Sequence, residues 1–122
     1  MMKPLIAVVL ALTFVAGLAV SGVLAQAKGD AAAGKAIYDK ECAKCHGEHG
    51  AGDGAQGQKL KDKPSNWTAG GGGLKGMDDQ KIVDSVKKGG KAVGKAAAMP
   101  AYPKLSDAEV ANVVAYVKTL QK

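Results

Sequence analysis

Cys42, Cys45 and His46 stand in the order Cys-x-x-Cys-His. Two thiols three residues apart share one face of a helix, and an imidazole follows at once. This set suits covalent attachment of a c-type haem. Each thiol adds to one of two vinyl groups along a porphyrin edge, and the imidazole swings under the ring plane to meet the iron. Two other chemistries use the same residue types. A Cys42–Cys45 disulfide would make a thioredoxin-like redox pair, but no βαβ pattern surrounds it. Zinc could take Cys42, Cys45, His46 and His49, yet without a separated second ligand pair such a site would organise only a local loop. Covalent haem accounts for all three residues and their spacing. His49, in a Gly-rich stretch, reads as a solvated side chain.

An iron held by His46 has one axial position left, and Met99 is the candidate to fill it. Pro100 and Pro103 stiffen its loop, which suits a ligand that must approach from a fixed direction. Met77 lies beside a helix start, where an apolar residue has an ordinary packing role. A thioether ligand favours ferrous iron and raises the reduction potential.

These residues need elements to hold them. Asp30 reads as an N-cap, and Ala31 to Cys45 as a helix with Gly34, Tyr38, Cys42 and Cys45 in one stripe. Gly34 either weakens that helix or lets another helix approach closely. Residues 47–57 are Gly-rich and polar, an irregular loop. Pro64 fixes a turn, Trp67 is the one Trp, and Gly70 to Gly73 form a flexible turn. A second helix begins at the Asp78 cap, runs to about Lys88 on Ile82, Val83 and Val86, and ends at Gly89-Gly90. Ser106 and Glu109 form a capping box that opens a third helix to about Leu120, with Val110, Val113, Val114 and Val117 on its apolar side. No alternating strand pattern occurs. The chain is predicted to be all-α, with three principal helices and long loops around one covalent haem.

Residues 1–27 follow the pattern of an export signal: a basic start at Lys3, an apolar run, then small residues. Cleavage is expected after Ala27, or after Ala25. The alternative is an uncleaved membrane anchor, since Leu5 to Ala25 is long enough to span a bilayer. Either way, residues 28–122 form one exported domain. The full chain has 122 residues, a formal charge of +6 and 4% aromatic residues, which allows one small domain and excludes a large two-domain enzyme. A domain so poor in bulky side chains needs stabilising by something else, such as a cofactor.

From Gly29 to Leu120 the chain resembles the class I cytochromes c, small electron carriers. Cys42-Ala43-Lys44-Cys45-His46 is similar to their haem motif, and Met99-Pro100-Ala101-Tyr102 to their distal-ligand motif. The resemblance implies Cys42 and Cys45 as the thioether residues and His46 and Met99 as axial iron ligands. It also implies that the first and last helices cross at Gly34 and Tyr38 against Val113 and Tyr116. Trp67 would lie near the haem propionates, and Tyr102 in the haem pocket. In one respect the chain departs from the family, which often has a Pro shortly after the motif whose carbonyl orients the proximal His. Here none precedes Pro64.

The expected function is one-electron transfer in the periplasm, between respiratory or dehydrogenase partners, with no catalytic residue and no enzyme activity. The alternative is a haem protein with an open or labile sixth position, a gas binder or peroxidase-like enzyme. The cations are all Lys, 17 of them. They suit steered docking to redox proteins with acidic surfaces. No nucleic acid is expected as a partner. Membrane contact would come only through an uncleaved leader or a membrane-bound oxidase or reductase. The protein is expected to be a monomer.

Overall fold

In the computed structural model, which describes residues 29–121, Asp30 caps the first helix as its position suggests. Its carboxylate accepts from the backbone N–H of Ala32 at 2.9 Å and of Ala33 at 3.3 Å. The helical run from Ala31 to His46 has three parts: α1 (Ala31–Ile37), a π-helical turn (Tyr38–Cys42) and α2 (Ala43–His46). The expected single helix is therefore interrupted in its middle. The Ala43 N–H reaches back five residues to the Tyr38 carbonyl. Such turns widen a helix locally and occur often at functional sites. This one immediately precedes the segment that carries the thiols. Gly47, at φ 86, ends the run in a backbone conformation that glycine tolerates best.

Helices α3 (Asp79–Lys88) and α4 (Asp107–Thr119) start where their caps predict. The Asp78 side chain accepts from the Lys81 N–H at 2.8 Å. The Ser106 hydroxyl accepts from the Glu109 N–H at 3.1 Å, and the Glu109 carboxylate accepts from the Ser106 N–H at 2.7 Å. No strand occurs among the described residues, so the all-α expectation holds. No helix among them is long and apolar enough to cross a membrane. The export signal and its cleavage sites at Ala25 and Ala27 lie outside the described residues.

α1 crosses α4 at Gly34. A Cβ there would fall on the backbone carbonyl of Asn112, so only glycine permits this approach. The Asn112 side chain in turn accepts from the Asp30 N–H at 2.8 Å. Beneath the crossing lies the core: Tyr38, Leu74, Ile82, Val86, Val110, Val113, Val114 and Val117. Tyr38 and Val110 are fully buried. Each buried Val side chain is worth about 1.5 kcal/mol of transfer free energy. The Tyr38 ring meets Tyr116 at 5.0 Å between centroids, tilted by 60°, the edge-on arrangement that aromatic pairs favour.

Candidate haem site

Between these elements lies a cavity of about 530 Å³, within the size range of cofactor sites. All six residues singled out in the sequence line it: Cys42, Cys45, His46, Trp67, Met99 and Tyr102. Its base is apolar, with Leu74, Ile82, Val86, Val113 and Val117.

Cys42, Cys45 and His46 form one wall. Both cysteines are unbridged, although only two residues separate them. Burial pushes the Cys42 thiol up to about 11, so it is held protonated. His46 is half-buried, and desolvation lowers it to about 4, so its imidazole is neutral, the form that binds metal. Its Nδ1 is buried without a hydrogen-bond partner. Two unpaired thiols and a neutral imidazole on the wall of an apolar cavity match what a covalently tethered haem requires, a bulky apolar ring with a metal at its centre. The residues present fit the group.

The loop after His46 is more ordered than its composition suggests. The Gly52 N–H donates to the His46 carbonyl at 2.8 Å, and the Gln56 N–H to the Lys44 carbonyl at 3.0 Å. These bonds take up carbonyls left open at the end of α2. A Cβ on Gly54 would stand 2.5 Å from the Lys44 carbonyl oxygen and 2.6 Å from that of Ala43. The glycines here allow backbone to press on backbone. The Gly-rich composition pointed to this loop, but only as irregular chain. His49 is exposed, as expected for a solvated side chain.

Trp67 does not stand apart from His46. Its indole lies against the His46 ring, centroids 4.1 Å apart and planes inclined by 23°. The Trp67 N–H donates to the Gly50 carbonyl at 2.7 Å, which pins its backbone beside the turn after His46.

The facing wall is the segment between α3 and α4. Gly89, at φ 88, ends α3, and the chain makes a short 3₁₀ turn at Gly90–Val93. Met99 follows, half-buried. The Gly90 N–H donates to the Met99 carbonyl at 3.1 Å, and the Tyr102 N–H to the Val86 carbonyl at 2.8 Å. The Tyr102 hydroxyl donates across the cavity to the Glu41 carbonyl at 3.1 Å, immediately before Cys42. Burial raises the Tyr102 hydroxyl above its ordinary value, which keeps it a donor. Met77 also lines the cavity, so sequence alone could not exclude it as a second sulfur.

The model of the Cytochrome c family matches residues 31–121. The chain is 39% identical over 88 residues to cytochrome c-555 of Chlorobaculum thiosulfatiphilum, covering 72% of this chain and 93% of that protein. It is 37% identical over 98 residues to the Cbb3-type cytochrome c oxidase subunit CcoP of Azospirillum brasilense, covering 75% of this chain but 30% of that subunit. The chain thus spans about a third of the length of that relative. Among solved structures it is similar to a chain of the Kuenenia stuttgartiensis reducing HAO-like protein complex. The TM-score is 0.61 and the identity 28%, over 77% of this chain and 44% of the other. A match that runs from α1 to the end of α4, with both thiols and the imidazole in the family's order, places this chain in the cytochrome c family, with covalent haem c as its cofactor.

Proposed function

We propose that this chain is a periplasmic one-electron carrier whose iron is held by His46 and Met99, with Cys42 and Cys45 as the thioether residues. The bound haem supplies a reversible one-electron couple at its iron. Everything else falls to the chain. Cys42 and Cys45 tether the ring so that it cannot dissociate. His46 and Met99 would hold the iron, and a soft thioether ligand would favour the reduced state. Leu74, Val86, Val113 and Val117 line the cavity and would keep water from the haem. With His46 and Met99 both bound, the iron would be closed to substrate, and the protein would pass electrons without enzymatic turnover.

The observation that carries this reading is Met99 on the same cavity as His46, on a loop tied to both α3 and the thiol-bearing helix by Tyr102. Exposed Lys63 and Lys95 at the cavity rim, on a chain of net charge +6, support docking to redox proteins with acidic surfaces. The relatives support a respiratory setting, since CcoP is by its name a subunit of a cytochrome c oxidase. Membrane contact then comes through such a partner or through a retained leader, and the carrier itself acts as a monomer.

The test is the reduced spectrum, recorded before and after carbon monoxide, of protein exported in a haem-maturing host. A c-type spectrum that carbon monoxide leaves unchanged is the expected result. A shifted spectrum would mean an open or labile sixth position and favour the gas-binding or peroxidase-like reading. No covalent haem would overturn both.

A further inference from the structure

A metal-binding imidazole ordinarily gives its second ring N–H to a carbonyl or carboxylate, which fixes the ring plane and strengthens the nitrogen as a donor. In this chain the Nδ1 of His46 is buried and has no such partner. No Pro stands between His46 and Pro64 to turn a carbonyl toward it. What the ring does have is a broad aromatic neighbour. The Trp67 indole covers it at 4.1 Å between centroids, 23° from parallel.

Trp67 is itself braced. Its backbone N–H is bonded to the Gly50 carbonyl at 2.7 Å. Its ring stands 6.5 Å from that of buried Tyr38, whose hydroxyl donates to the Gly47 carbonyl at 2.6 Å. A side chain at Gly50 would start 3.3 Å from the indole Cε3. The turn after His46 thus carries the ring that lies on His46, and Tyr38 ties that turn to the first helix.

We propose that Trp67 is the positioning residue for His46: the stacked indole sets the imidazole plane in place of a hydrogen bond to Nδ1. This rests on the reading of His46 as an iron ligand. A stack restrains the tilt and rotation of the ring without drawing on its N–H. Donor strength therefore stays lower than in an imidazole bonded through Nδ1, which favours ferrous over ferric iron.

The wild-type protein provides a first test. In the reduced, diamagnetic state, NMR should show NOEs between the ring protons of His46 and Trp67. Their absence overturns the proposal, and no folding defect of a variant can obscure this measurement. In the oxidised state, the pattern of haem-methyl shifts follows the plane of the axial imidazole. Trp67→Leu should change that pattern, and Trp67→Phe, which keeps a ring to stack, should retain it. An unchanged pattern in Trp67→Leu, at wild-type haem content and helicity, counts against the proposal. So does a Phe variant that shifts as far as the Leu variant. Failure of the underlying reading looks different: the ring protons of His46 in oxidised wild type would then lack the large paramagnetic shifts of an iron ligand.

Discussion

The two walls of the cavity are held in different ways. On the side of His46, backbone presses on backbone: Gly34 on Asn112, and Gly54 on Ala43 and Lys44. Fully buried Tyr38 lies beneath. On the side of Met99 the segment is built of small side chains, with Ala97, Ala98, Pro100 and Ala101 exposed. It is tied down by a few hydrogen bonds, of which those of Tyr102 span the greatest distances in the chain. Close packing tolerates little change, whereas a hydrogen-bonded loop can release and re-form. Under the proposed function, the contrast would suit a carrier whose Cys42–Cys45 wall stays fixed while the Met99 wall can give.

Substitutions can break this contrast, starting with the largest effect. Gly34→Ala forces α1 and α4 apart and is expected to cost about 3 kcal/mol, read as a lower denaturant midpoint. A cost under about 1 kcal/mol would show that the crossing has slack and that the dense wall is not dense. Gly54→Ala pushes on two carbonyls of the thiol-bearing segment, with an expected loss of roughly 2 kcal/mol and a lower yield of covalent haem. Tyr102→Phe removes one hydrogen bond from the other wall, and global stability should fall by only about 1 kcal/mol. Its distinctive result is slow binding of carbon monoxide by the reduced protein, as Met99 gains freedom to leave. Absence of any such binding would mean that the loop does not depend on that hydroxyl. Smallest is Lys95→Ala at the rim. Association with an acidic redox partner should slow about twofold at low salt, and the difference should vanish at high salt.

Much of the chemistry was legible because it is local. The thiol and imidazole spacing, the Asp30 and Asp78 caps and the Ser106–Glu109 capping box each depend on residues a few positions apart. The role of Gly34 needed one long-range inference, from a small residue in a helical stripe to a crossing partner. Other features lie beyond local spacing. The π-helical turn at Tyr38–Cys42 has no signal in the apolar pattern, since one added residue per turn hardly disturbs a short stripe. The stack of Trp67 on His46 depends on how the Gly-rich loop folds back, which is decided by contacts of Gly52 and Gly54 with α2. Composition marked that loop as irregular, and packing made it a support.

The bond from Asp30 to Asn112 joins positions 82 residues apart. Closing a loop of that length carries a chain-entropy cost that the packing of α1 on α4 must offset. The same crossing brings Val113 and Val117 of α4 to the cavity that Cys42 and Cys45 line from the first helical run. One helix crossing thus both joins distant parts of the chain and completes the cavity.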